Sequence, residues 1–543
     1  MKSIEFTSFH TYGELTNHLH DLASTYKDLC TLHSAGKSPK GRDIWVMELG
    51  SDKGTMRGKR PAYFIKGNHH AGEVTGCAAS LYTIWYLLSN YGVDPLCTRV
   101  LDERTLYVLP RITVDGSEVY LTSPKSLRSS PVPWPETELK DGLYLDDIDG
   151  DGHILQMRLR HPGGDWKVSA QDSRLMVRRA PDDLMGEFYF IYPEALIKNY
   201  DGYEVKMPRP LWGADFNRNY PTNWEPDHRQ RGAGEFPFSQ PEIKAVADWF
   251  MKHPNIGGSM SYHTTGGVIL RPMCTVDDSK VPKTDLERYK TIGAMGTEET
   301  GYPVVNVFRD FTYNPERPEV GSYLEWVYEH LGVMGFEIEL WDMPKRAGIE
   351  KRGFRANAEK TDKEREEDGL KLLAWNDQEL GGAGFVNWRP FTHPELGEVE
   401  IGGWLPKTVR QNIPSHLIED EIKGNCIFTL RHALALPEMR ITKVTAVQKD
   451  NNTHLVSLDV VNAGYLPSHV TEVALKIRVA KPVTAELILP EGMQVVGCKL
   501  KQELGHLPGF AQRKVEWVVK GRGQVTVRVS GEKAGQEERV VDV

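Results

Sequence analysis

Over the first 340 residues, short strand-like apolar runs alternate with longer helix-like segments, and few fold classes accommodate that alternation. The runs Trp45-Val46-Met47, Tyr63-Phe64-Ile65, Leu106-Tyr107-Val108-Leu109 and Gly335-Phe336-Glu337-Ile338 have strand length, whereas Leu81-Tyr82-Thr83-Ile84-Trp85-Tyr86-Leu87-Leu88 reads as helix. The pattern predicts an α/β domain with a largely parallel or mixed sheet flanked by helices. A helix-like segment over 416–436 closes at Pro437, and the character of the chain then changes. From 441 to 543 it alternates with a period of two, in runs such as 454–460, 473–479, 515–519 and 525–529, which predicts a small all-β sandwich. With 543 residues the chain exceeds one ordinary core. The expected division is a catalytic domain over 1–437 and a β-sandwich over 438–543. Two stretches of the first read as insertions, at about 129–210 and 343–403. The charge run Asp362-Lys363-Glu364-Arg365-Glu366-Glu367-Asp368 in the second is expected to be a solvated helix face. Long insertions in such a domain decorate the loops around its site.

Composition excludes several function classes. A net charge of −9 with Lys and Arg spread along the chain offers no basic face for nucleic acid or an anionic membrane. No run of about 18 apolar residues is present, and Met1-Lys2-Ser3-Ile4-Glu5-Phe6 does not open a signal peptide, so a cytoplasmic protein is expected. Cys30, Cys77, Cys97, Cys274, Cys426 and Cys498 include no Cys-x-x-Cys pair, which fits reduced thiols.

The most informative stretch is Gly67-Asn68-His69-His70-Ala71-Gly72-Glu73, placed between a predicted strand and the helix that runs through Cys77-Ala78-Ala79. The carboxyl ends of strands are where open α/β sheets hold ligands. The spacing of His70 and Glu73 lets one imidazole and one carboxylate converge on a tetrahedral Zn²⁺, with a third ligand from elsewhere. His263 ends another strand-like run, Gly258-Ser259-Met260-Ser261-Tyr262-His263, and is a candidate ligand, although taken alone it reads more readily as a packed or surface histidine. Glu339 lies with Glu337 in Gly335-Phe336-Glu337-Ile338-Glu339-Leu340, a buried-looking strand in which a carboxylate is costly without a partner. Asp147-Ile148-Asp149-Gly150-Asp151-Gly152 matches the first half of a calcium loop. Position twelve is Arg158, where a bidentate Glu is wanted, so Ca²⁺ at Asp147, Asp149 and Asp151 competes with a plain Asx-turn loop.

Taken together these motifs resemble the zinc metallocarboxypeptidases of the A, B and T type, from about Phe9 to the helix ending near Leu436. The resemblance begins with His10-Thr11-Tyr12-Gly13-Glu14-Leu15 and Gly41-Arg42-Asp43-Ile44-Trp45-Val46 and becomes specific at His70-x-x-Glu73. It implies one Zn²⁺ on His70, Glu73 and His263. It implies further that Arg128 holds the oxyanion, that Asn217 and Arg218 grip the terminal carboxylate of a peptide, and that Asp215 orients His70. Glu339 would be the general base acting on a metal-activated water, with Glu337 structural. Tyr313 would cap the substrate, and Leu324 would sit at the base of the side-chain pocket and favour an apolar C-terminal residue. The chain departs from the pancreatic enzymes at Gly72, where they carry Arg, and at Thr113-Val114, where the family has Asn-Pro. No inhibitory pro-segment is expected. The expected activity is hydrolysis of C-terminal peptide bonds. The alternatives are the same chemistry on peptidoglycan stem peptides, or a catalytically silent binding protein. The oligomeric state is not legible.

Overall fold

A computed structural model describes residues 4–211, 213–350 and 357–543. The initial Met1-Lys2-Ser3 and part of the second expected insertion, 351–356, lie outside the described residues.

Eight strands form the central mixed sheet. In spatial order they are Cys30–Lys37, Asp43–Leu49, Thr105–Leu109, Ala62–Gly67, Ile256–Thr264, Met334–Leu340, Val268–Arg271 and Val304–Asn306. The four from Thr105–Leu109 to Met334–Leu340 are mutually parallel. All side chains of Ala62–Gly67, Ile256–Thr264 and Met334–Leu340 are buried, as strands covered on both faces must be. One face packs on helices Tyr12–Thr25, Val74–Asn90, Lys283–Thr300 and Ile418–Leu434, the other on Pro241–Lys252 and Tyr323–Glu329. Local signals set several helix starts. Thr11 and Glu14 form a capping box, and Asp94 caps a helix with Pro95 in its first turn.

The two expected insertions are not separate decorations. Strands from both build one six-stranded antiparallel sheet, in the order Phe385–His393, Gly397–Trp404, Gln156–Arg160, Tyr189–Pro193, Trp166–Val168, Met176–Arg178. Glu400 pairs with Arg158 and Ile401 with Met157, over a small core that includes Leu143, Leu155, Ala195 and Val399. The charge run lies on helix Asp362–Glu379, whose described buried residues are Leu373, Trp375 and Asn376.

Asp147, Asp149 and Asp151 lie close enough together to face one cation, but nothing further in the structure supports a calcium site there. Asp147 accepts from the backbone N–H of Gly150, Asp151 and Gly152, as an Asx-turn does. The Arg389 guanidinium, 2.6 Å from Asp149 and also paired with Asp151, supplies the positive charge. Arg158 faces away and pairs with Glu400 at 2.8 Å.

Beyond Glu438 two four-stranded sheets face each other over Val456, Leu458, Trp517, Val527 and Val529. The expected strand over 473–479 does not form, because Thr471 caps a short helix, Glu472–Lys476, whose first N–H groups donate to Asp285 of the other unit. The sandwich docks at the amino-terminal ends of the parallel strands. Lys533 reaches the carbonyl of Ile256 (2.6 Å) and Thr471 that of Gly332 (3.1 Å). Arg104 is fully buried there, donating to the carbonyls of Ala433 and Leu434 and to Glu438 at 2.9 Å. Replacing Arg104 by Met strands those acceptors, and we expect a loss of about 3 kcal/mol. A thermal midpoint within about 1 °C of the parent would contradict that expectation.

Candidate active site

The site grows from the register of three neighbouring strands. Lys66 pairs with Ser261, which pairs with Glu337, and one row further His263 pairs with Glu339. With a side-chain period of two, Ser261 and His263 share a face, as do Glu337 and Glu339. The chain then leaves the Ala62–Gly67 strand through Asn68, which has φ 58°. Asn tolerates that left-handed turn, and its Nδ2 donates to the carbonyl of His70 at 2.6 Å. Gly67 lets the following helix approach closely, since a Cβ there would lie 2.2 Å from the carbonyl oxygen of Gly76. The result carries Glu73 over His263.

His70, Glu73 and His263 are all buried, with donor atoms within 4.8 Å of one another. Nδ1 of His70 is 2.7 Å from Glu73 Oε1, Nδ1 of His263 is 3.0 Å from Glu73 Oε2, and the two Nδ1 atoms are 3.4 Å apart. Three donors of the types zinc prefers thus face one point. The electrostatics agree. Although burial opposes charge, Glu337 and Glu73 push His263 up to about 10, and the two imidazoles hold Glu73 well below the usual carboxylate range. A surround that retains positive charge against desolvation suits a divalent cation.

The far nitrogens of the imidazoles are backed differently. His70 Nε2 is 3.3 Å from Asp215, whose carboxylate accepts from Arg128 Nε at 2.8 Å. His263 Nε2 is 2.8 Å from Ser261 Oγ and 3.6 Å from Glu337. Ser261 Oγ accepts from buried Lys66 at 2.6 Å, and that ammonium lies over the Tyr323 ring at 3.9 Å. Burial, with Glu73 and Glu337 close by, pushes Glu339 up to about 8.

A cavity of about 190 Å³ opens onto this cluster. It is lined by His70, Glu73, Arg128, Asn217, Arg218, Tyr313 and Glu339, together with the apolar Leu270, Val307 and Phe311. Arg128 Nη1 comes to 3.6 Å of Glu73. Asn217, buried in a short 3₁₀ turn, accepts from Tyr323 N at 2.8 Å, and Arg218 donates to the carbonyl of Asn217 at 2.7 Å. Tyr313 stands at the rim with 63% exposure. Leu324 does not line the cavity: it is fully buried and packs behind Leu270 and Cys274. A second groove, of about 710 Å³, lies between the sandwich and the amino-terminal ends of the parallel strands and carries charges of both signs. The structure also brings Asn68, Lys66, Ser261 and Asn412 to the site, none of them among the expected site residues. A lone Lys in an apolar strand was a usable signal for the second, whereas nothing local marks the last.

The family model described as zinc carboxypeptidase matches residues 15–161 and 164–369, well over half of the chain. The chain belongs to that family. Residues 438–542 match a family described as a domain of unknown function. Carboxypeptidase M of Mus musculus is 32% identical over 116 residues, 21% of this chain and 26% of that protein. Carboxypeptidase A6 of Homo sapiens is 22% identical over 359 residues, 63% of this chain and 62% of that protein. This chain therefore spans less than two thirds of either relative. Carboxypeptidase A from Helicoverpa armigera superposes with a TM-score of 0.43 and 15% identity, over 70% of this chain and 76% of that one. Among the described residues no helix is long and apolar enough to cross a membrane.

Proposed function

We propose that the protein is a zinc-dependent exopeptidase that hydrolyses the C-terminal peptide bond of peptides with a free carboxylate. The observation that carries this reading is the convergence of His70, Glu73, Glu339, Arg128 and Arg218 on one cavity, with His263 completing the donor trio beside Glu73. Zinc held by the first three side chains supplies a Lewis acid for the scissile carbonyl and lowers the pKa of water.

Glu339 takes a proton from the attacking water and hands it to the leaving amine. Burial and two neighbouring carboxylates raise its pKa, and a cation in the site would offset their charge and favour the ionised form that accepts a proton. Arg128, tethered by Asp215 and pointed at the Glu73 side of the cavity, stabilises the oxyanion. Arg218 and Asn217 bind the terminal carboxylate, for which a planar guanidinium fork is suited. Asp215 fixes the His70 ring. Tyr313 closes over the bound end from the rim. Leu270, Val307 and Phe311 favour an apolar C-terminal side chain, with Leu324 supporting Leu270 from behind. All six cysteines are free, which supports a reducing compartment and a cytoplasmic place of action.

Mass spectrometry of a peptide mixture after digestion tests the reading. Residues should be lost one at a time from free C-termini, apolar ones fastest, and the loss should stop with a chelator and return with zinc. Internal cleavage, or digestion indifferent to the chelator, would contradict it.

A further inference from the structure

We propose that Asn412 is a positioning residue for the metal centre. It caps in trans the helix that begins at Glu73, and so leaves the Glu73 carboxylate free for metal. The inference rests on Glu73 being a zinc ligand, as proposed above.

A helix start leaves backbone N–H groups without partners, and the N-cap side chain ordinarily accepts from one of them. Here the N-cap position of helix Val74–Asn90 is Glu73, which makes no capping hydrogen bond. Its carboxylate is turned to His70 and His263 instead. The missing cap comes from 337 residues away: Asn412 Oδ1 accepts from Thr75 N at 3.1 Å and from Thr75 Oγ1 at 3.0 Å. Asn412 Nδ2 donates to the carbonyls of Gly72 (2.7 Å) and Lys407 (2.9 Å) and reaches the Tyr120 hydroxyl (3.1 Å). Because Thr75 N can only donate and the Gly72 carbonyl can only accept, these partners fix which way the amide faces. The side chain is completely buried. It therefore clasps the backbone on both sides of Glu73.

A second observation points the same way. A Cβ at Gly72 would meet the Gln411 side-chain amide at 2.7–2.8 Å and the Tyr120 ring at 2.9 Å. The segment carrying Gln411 and Asn412 lies flush against the loop, in the space beside Gly72. That segment falls outside residues 15–369, where the family model matches. The centre is thus braced by a segment that lies 337 residues beyond Thr75 in the chain. Groups that hold a ligand in place change metal affinity 10–100-fold when removed.

The test compares zinc affinity, by competition with a chromophoric chelator, and the visible spectrum of the cobalt-substituted protein. Asn412→Ala should weaken zinc binding about 10–100-fold and shift the cobalt bands. Asn412→Asp keeps the acceptor for Thr75 N but cannot donate to Gly72, and should fall between parent and Asn412→Ala. It also serves if the alanine variant does not fold. Asn462→Ala is the control for mere destabilisation. It removes an equally buried amide, which donates to Leu466 O at 2.9 Å in the sandwich, and zinc affinity should stay within about twofold. Glu73→Gln should lose far more affinity than any of these. Parent-like zinc binding and cobalt spectra in both Asn412 variants would overturn the inference. If Glu73→Gln also bound zinc like the parent, the ligand assignment itself would fall.

Discussion

Glu339→Gln should lower kcat by about 10²–10⁴-fold, the usual worth of a positioned general base, with KM and zinc content unchanged. Gln has the same shape, so the pocket keeps its packing, and the Glu339 Oε2 atom makes no protein hydrogen bond that the substitution would break. What disappears is the capacity to take a proton. The separation of effects matters, because a loss of zinc would show as a fall in metal content and a loss of substrate binding as a rise in KM. Undiminished turnover by the purified variant would remove Glu339 from the chemistry and leave Glu337, one row away, as the carboxylate to examine.

Arg218→Met should reduce kcat/KM on peptides with a free C-terminus by about 10²–10³-fold, the range expected when a charged hydrogen-bonding partner is deleted from a recess. The more telling result is the comparison with amidated peptides. In the parent these should be poor substrates, because the guanidinium would be left facing a neutral amide. In the variant the preference for the free acid should collapse, since nothing then rewards the carboxylate. A variant that still favours the free acid to the parent's extent would move the recognition elsewhere, with Arg128, on the same cavity, as the other charged donor.

Much of this arrangement is legible in the amino-acid sequence because it is written in local periodicity. The alternation of apolar runs with helix-length segments predicts the mixed sheet. The position of His70 and Glu73 between a strand and a helix places them at the carboxyl edge, and the Glu339 strand is buried as its composition implies. What cannot be read locally is pairing between distant segments. The antiparallel contact of Glu400 with Arg158 joins two stretches that look like independent insertions, and neither strand carries a mark of its partner. Arg389 reaches the Asp loop across 240 residues, so the loop alone reads as a cation site. The 473–479 run alternates like a strand, but a Thr cap and docking against Asp285 turn part of it into helix. Leu324 follows the motif that should place it in the pocket, and helix Tyr323–Glu329 instead turns it into the layer behind. Asn412 illustrates the limit most plainly. Its role depends on Glu73 being occupied elsewhere, a relation between two residues that no window of sequence contains.

The most direct measurement is anomalous diffraction at the zinc edge from crystals of the zinc-loaded protein. One strong peak is expected within about 2.0–2.2 Å of Nδ1 of His70, Nδ1 of His263 and a carboxylate oxygen of Glu73. A peak at another set of residues, or none on that trio, would contradict the proposed centre and the hydrolytic chemistry built on it.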